Sequence, residues 1–200
     1  VRATLHTLLG KGWSSSVYAS IKGGDDLYVG GVYNDALDLA LRVSKDFDSG
    51  GRFSIVALSA LSERGLRSGT TQEVFRLRGD KLYNPTWGNQ AGKVRNSRTR
   101  EDKIPFVMMS YSQPIGSSTR MLLSLGGDYG ERNYRNLGWY NAMTPRPDNY
   151  RYLPSYYYSE QLASQVEKVW RAGDETYTQV NWDALYEQNR ISSTGAVYAL

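Results

Sequence analysis

The sequence predicts an all-β protein, an antiparallel meander of long hairpins, and three observations support this. Apolar side chains of the segment 33–47 fall mainly at odd positions (Tyr33, Leu37, Leu39, Leu41, Val43, Phe47), which is the period of two of a β-strand. The four residues Asp48-Ser49-Gly50-Gly51 then favour a chain reversal. The segment 52–61 returns as a second strand. Both strands reach the roughly 9 to 11 residues needed to cross a bilayer, whereas strands of soluble proteins average about 5 to 6.

Further strands are predicted near 1–9, 13–21, 119–130 and 191–200, because apolar side chains in each segment fall mainly on one parity. The segment 104–113 is also strand-like. Short turns at 10–12, 48–51 and 114–118 alternate with long connections at 22–32, 62–103 and 131–190. Strict alternation places all long connections on the same side, which is typical of outer-membrane barrels. Seven strands cannot form a closed bacterial barrel, and hydrocarbon does not tolerate open edges. We therefore expect residues 1–200 to be an internal slice of a larger transmembrane β-barrel.

The long connections are predicted to carry short helices. Thr70-Thr71-Gln72-Glu73 is a capping pattern for a helix through Leu77. Two more helices are expected around 159–171 and 181–189.

The amino-acid composition limits the classes of function that this chain can have. The chain has 16 Tyr and 5 Trp against 4 Phe, and amphipathic aromatic residues suit a boundary between apolar and aqueous surroundings. The absence of Cys excludes disulfides and thiolate metal sites. A single histidine, His6, excludes a His-based zinc site and argues against a Ser-His-Asp triad. We expect no catalytic residues, no metal and no cofactor, and a net charge of +4 does not favour nucleic acid as a partner.

Two segments carry a family resemblance. Residues 82–98 contain Tyr83-Asn84-Pro85, Trp87-Gly88 and Arg95-Asn96-Ser97-Arg98. Residues 139–156 contain Trp139-Tyr140-Asn141-Ala142 and the run Pro145-Arg146-Pro147-Asp148-Asn149-Tyr150-Arg151-Tyr152. Both segments, with the shorter 70–73 and 179–186, resemble extracellular loops of TonB-dependent outer-membrane receptors of the Bacteroidetes type.

The resemblance implies a 22-stranded barrel around an N-terminal plug, located in the cell outer membrane, that imports a bulky nutrient by energy-coupled transport. It implies outer-membrane lipid and lipopolysaccharide as surroundings, TonB as a partner through a plug region that this sequence lacks, and a surface lipoprotein lid as a further candidate partner. The loops 62–103 and 131–190 would then be extracellular.

The predicted substrate contacts lie in these two loops: Trp87, Arg95, Arg98, Trp139, Tyr140, Arg146, Asp148, Tyr150, Arg151 and Tyr152. Tyr and Trp faces stack on sugar rings, and Arg side chains pair with carboxylates or phosphates. Alternatively, the same residues fold each loop onto itself. The basic stretch 64–103 has similar alternatives: contact with lipopolysaccharide phosphates, contact with an anionic substrate, or a solvated surface.

Two other functions stay open at this point. A secreted all-β carbohydrate-binding module would use the same Tyr and Trp side chains as a sugar platform. A glycoside hydrolase would need two carboxylates roughly 5 to 10 Å apart in a cleft, and the sequence does not pair any two of its 20 acids.

Overall fold

The computed structural model describes residues 1–139, 143–191 and 198–199. Its strands are β1 Arg2–Gly10, β2 Trp13–Lys22, β3 Tyr33–Asp46, β4 Arg52–Gly65, β5 Trp87–Gln90, β6 Lys93–Asn96, β7 Arg98–Ile115, β8 Thr119–Asp128, β9 Glu131–Asn136, β10 Gly138–Trp139 and β11 Tyr198–Ala199. Its helices are α1 Gln72–Arg78, α2 Glu160–Ala172, α3 Glu175–Thr178 and α4 Trp182–Ile191, with short 3-10 helices at Tyr150–Tyr152 and Pro154–Tyr156. The predicted all-β antiparallel class is confirmed, and the main sheet is open.

The chain divides into two compact units. The first, which we call the sheet unit, comprises Val1–Gly23, Asn34–Glu63 and Glu101–Asn133. The second, the loop unit, comprises Gly24–Tyr33, Arg64–Arg100 and Tyr134–Leu200. The three predicted short turns belong to the sheet unit, whereas most of each of the three long connections belongs to the loop unit. The long connections therefore fold together rather than separately.

The main sheet runs β1-β2-β3-β4-β7-β8, and β9 also pairs with β7. The register aligns Leu5 with Val17 and Val17 with Leu41, so that these apolar side chains form a row across three strands. The next residue of each strand gives a polar row, His6 with Ser16 and Ser16 with Arg42. Because successive side chains of a strand point to opposite faces, the apolar and polar rows lie on opposite faces of the sheet.

The apolar row is exposed. The exposed fractions of Leu5, Val17 and Leu41 are 65%, 44% and 44%. On the polar face, a His6 ring nitrogen lies 2.7 Å from the Ser16 hydroxyl, within hydrogen-bond distance. On the same face Ser20 and Ser44 are buried. The sheet unit therefore covers these serines while it leaves leucines of the opposite face exposed, which is the reverse of a soluble sheet.

The predicted connection 62–103 is too long at both ends. Strand β4 continues to Gly65, β7 begins at Arg98, and the hairpin β5–β6 lies between them. The added strand residues include charged Glu63, Arg64 and Arg100, so the apolar alternation ends before the backbone pairing does. Similarly, β9 occupies the start of the predicted connection 131–190.

The last predicted strand, 191–200, is wrong at its first residue, because Ile191 ends α4. Tyr198–Ala199 forms β11 and pairs with β10, not with the main sheet. Residues 192–197 and 200 of that predicted strand lie outside the described residues.

The helices begin and end where local signals predict. Thr71 caps α1 by accepting a hydrogen bond from the Val74 amide, at 3.3 Å. Ser159 caps α2 in the same way, and Gly173 ends it in the left-handed conformation at a φ of 77°. Of the residues described, no helix is long and apolar enough to cross a membrane.

Candidate functional site

The loop unit is built around helix α2. Its buried Trp170 packs with Val74, Leu77, Tyr83 and Leu153 in one apolar core. The Trp170 indole nitrogen donates to the carbonyl oxygen of Tyr152 at 2.9 Å. The Tyr83 hydroxyl donates to the carbonyl oxygen of Thr178 inside the unit. Burial, and next the nearby Asp148 carboxylate, raise the pKa of Tyr83, so this hydroxyl stays protonated and remains a donor.

A second core contains Leu137, Val180, Trp182 and Leu185. The Trp182 indole nitrogen donates to the carbonyl oxygen of Arg95 at 3.2 Å, which joins α4 to the hairpin β5–β6. The Val180 amide donates to the carbonyl oxygen of Trp87 at 2.9 Å. The segments 82–98 and 179–186, which carried the resemblance, therefore fold against each other.

The side-chain amides of the 82–98 segment act as connectors. Asn84 is 2% exposed. Its nitrogen donates to the carbonyl oxygen of Gly30 at 3.0 Å, and its oxygen accepts from the Thr86 hydroxyl at 2.7 Å. Asn96 donates to the carbonyl oxygens of Gly31 at 2.7 Å and Leu66 at 2.9 Å. These amides connect segments far apart in sequence by donating to backbone carbonyl groups.

The predicted contacts Trp87, Arg95 and Arg98 have their own partners in the loop unit. A Cβ on Gly31, whose φ is +72°, would lie 2.2 Å from the Cβ of Trp87, so glycine is required there. The Arg95 guanidinium stacks 4.4 Å from the ring centroid of Trp182. Arg98 donates to the Ser68 hydroxyl at 3.3 Å. The structure thus places all three in contacts that fold the loops.

Arg146, Asp148 and Tyr152 are brought together. Arg146 donates twice to Asp148, at 3.0 Å and 2.8 Å, and the Asp148 side chain is 7% exposed. The Tyr152 hydroxyl donates to the carbonyl oxygen of Thr144 at 2.8 Å. These bonds hold the Pro-rich segment 144–148 in a fixed conformation, because a planar two-bond pair fixes both side chains.

Tyr150 and Arg151 remain on the surface of the loop unit. The Arg151 guanidinium lies 5.7 Å from the ring centroid of Tyr150. The Tyr150 ring meets the Tyr156 ring edge to face at 5.6 Å. Trp139 is exposed in β10, and Tyr140 lies outside the described residues. Of the predicted contacts, Tyr150, Arg151 and Trp139 are therefore the most accessible to a ligand.

A cavity of about 470 Å³ lies in the loop unit and was not predicted as a site. Its walls come mainly from α2, α3, α4 and the segment 143–147. Among the predicted contacts that the structure describes, only Tyr152 lines it. Val169, Tyr177 and Gln165 also line it. The available signal was the spacing of Gln165, Val166 and Val169 on one face of α2, but that spacing alone does not distinguish a cavity wall from a packed core.

Within the described ranges, no three His, Cys, Asp or Glu side chains are grouped to hold a metal ion. No family model, no curated protein and no solved structure matches this chain in the comparisons with known proteins.

Proposed function

We propose that this chain forms part of the wall and the extracellular loops of a TonB-dependent outer-membrane receptor, which imports a bulky nutrient by energy-coupled transport. In this proposal the sheet unit belongs to a 22-stranded barrel. The nutrient enters from the loop side, and TonB acts through a plug region encoded elsewhere in the same protein. Outer-membrane lipid and lipopolysaccharide surround the barrel. A surface lipoprotein lid is a further partner of the receptor. Nucleic acid is not a partner in this proposal.

The observation that carries the proposal is the exposed apolar row Leu5–Val17–Leu41, opposite the polar row His6–Ser16–Arg42. In water, each of these partly exposed leucines forgoes roughly 1 kcal/mol of burial free energy. A contiguous apolar face of this kind marks a contact surface rather than a solvated one. Hydrocarbon contact on one face and water on the other would account for both rows.

The loop unit supports the same proposal. Long extracellular loops must be stable without a barrel core of their own, and this unit has two apolar cores and buried Asn connectors. The motif residues that resemble the receptor family supply those connectors. This supports the view that the motifs define how such loops fold.

A second candidate is a secreted carbohydrate-binding module. Three exposed tyrosines favour this candidate, because aromatic rings stack on sugar rings. Tyr158 is fully exposed, and the rings of Tyr150 and Tyr156 form an aromatic surface. Such a module would leave the apolar face of the sheet unit in water.

Fractionation of cells that express the full-length gene product separates the two. The receptor proposal predicts recovery in the outer-membrane fraction, extraction only by detergent, and a plug domain encoded upstream in the same gene. A product recovered as a soluble protein that binds a polysaccharide would refute the receptor and support the module.

A further inference from the structure

We infer that the cavity among α2, α3, α4 and the segment 143–147 is a binding site for an uncharged, ring-bearing small molecule with an amide- or hydroxyl-type group. All lining residues belong to the loop unit. The inference therefore does not rest on the proposed transport function.

The size and lining of the cavity fit a small organic ligand. Ligand pockets have volumes of roughly 300 to 1,000 Å³ and mainly apolar and aromatic walls with a few polar groups, and this one measures about 470 Å³. Val166, Val169 and Leu185 supply apolar surface, and Tyr152, Tyr157 and Tyr177 supply rings. Aromatic walls favour a flat ligand, because ring pairs stack offset or edge to face.

The charge of the lining indicates the charge of the ligand. None of the described residues that line the cavity is Asp, Glu, Lys, Arg or His. Its polar groups are hydroxyls and amides, including Thr144, Gln165 and Asn181. A charged ligand would lose its hydration without gaining an opposite charge, whereas an amide or hydroxyl ligand would find matching donors and acceptors.

The walls are held in place before any ligand arrives. Thr144 is fixed by two bonds, one from the Tyr152 hydroxyl at 2.8 Å and one from the Arg146 amide at 3.3 Å. Asp174 accepts from the amide and the hydroxyl of Thr176, at 2.9 Å and 2.7 Å, and these bonds lower the pKa of Asp174. Trp170 is fixed by its bond to Tyr152. A ligand would therefore bind without the cost of ordering these walls.

The test uses three fluorophenyl probes of similar size and different charge: 4-fluorobenzamide, 4-fluorobenzoate and 4-fluorobenzylammonium. Fluorine NMR measures their binding to the purified full-length protein at pH 7. We expect 4-fluorobenzamide to bind at least about tenfold more tightly than either ion, equivalent to about 1.4 kcal/mol. Equal binding of the three probes would overturn the ligand class. No binding of any probe would overturn the site.

Two pairs of variants locate the binding. Ala184 lines the cavity and Ala172 does not, although both are exposed helix residues. We expect Ala184→Phe to weaken 4-fluorobenzamide binding at least about tenfold by filling the space, and Ala172→Phe to leave it unchanged. Equal binding to both variants would place the probe elsewhere, for example in detergent.

The second pair changes charge and not volume, so it remains informative if Ala184→Phe does not fold. Gln165 lines the cavity, and Gln161 lies one helical turn earlier, outside the lining. Gln165→Glu should strengthen 4-fluorobenzylammonium binding by about threefold to tenfold, because it supplies an opposite charge. Gln161→Glu should have no such effect. If Gln165→Glu and Gln161→Glu changed 4-fluorobenzylammonium binding equally, the probe would not be bound in the cavity.

Discussion

The side-chain nitrogen of Asn84 donates to the carbonyl oxygen of Gly30 at 3.0 Å, across 54 positions of sequence. Its side-chain oxygen accepts from the amide and the hydroxyl of Thr86. Since Gly30 and Asn84 belong to different long connections, this one buried amide joins the two. A buried amide that uses both its donor and its acceptor is worth more than a surface hydrogen bond, because its removal leaves several backbone groups without partners.

Asn84→Asp should therefore destabilise the loop unit although it keeps the size of the side chain. The new carboxylate cannot donate, and it places an acceptor against the carbonyl oxygen of Gly30. We expect a loss of about 2–4 kcal/mol in the free energy of unfolding. Chemical unfolding followed by Trp fluorescence measures it, since Trp170 and Trp182 are buried in this unit. Asn136→Asp is the control, because Asn136 is exposed, and an equal loss there would contradict the role of Asn84.

Tyr83→Phe tests the buried hydroxyl. Below about pH 10 the variant should lose about 1 kcal/mol, because the carbonyl oxygen of Thr178 loses its donor. The pKa of Tyr83 is raised in the folded protein, so above about pH 10 the unfolded chain releases this proton first. The contribution of Tyr83 to stability is therefore fully present below pH 10 and declines above it, by up to about 1.4 kcal/mol per pH unit.

The variant lacks this decline, so the stability advantage of the wild type should shrink from about 1 kcal/mol at pH 9 and be lost by about pH 11. Unfolding measured at pH 9, 10 and 11 gives the comparison. Tyr158→Phe serves as the control, because Tyr158 is fully exposed. A constant difference between wild type and Tyr83→Phe at all three pH values would argue against a raised pKa.

Arg146→Lys should loosen the segment 144–148. A lysine cannot make both bonds to Asp148, whose side chain is almost fully buried. We expect a loss of about 1–2 kcal/mol in the free energy of unfolding. Arg190→Lys is the matched control, because Arg190 also donates twice to one carboxylate, that of Glu187, but both Arg190 and Glu187 are exposed. Its loss should stay below about 0.5 kcal/mol, and similar losses in both variants would show that burial of Asp148 adds nothing.

The fold and the site differ in how far the sequence predicts them. Strand β3 alternates apolar and polar residues, and the capping residues Thr71 and Ser159 begin their helices, so local patterns predicted these elements. The strand ends near Arg64 and Arg98 were missed, because backbone pairing continues where apolar alternation stops. Arg95 resembled a ligand contact, yet its partner Trp182 is 87 positions away. Local patterns cannot tell such a tertiary contact from an exposed binding residue.

Leu39→Arg and Ala40→Arg test the faces of the sheet unit. Leu39 pairs with Ala19 and follows the parity of the exposed apolar row, whereas Ala40 pairs with Tyr18 on the polar face. If the apolar face contacts hydrocarbon, Leu39→Arg should cost about 2–4 kcal/mol near the membrane midplane. Ala40→Arg should cost distinctly less, because water or polar side chains would meet the new charge.

Refolding of the full-length protein into phosphatidylcholine vesicles, scored by heat-dependent gel mobility, measures both losses. Equal losses would mean that hydrocarbon does not distinguish the two faces, and the membrane proposal would fail at its central observation.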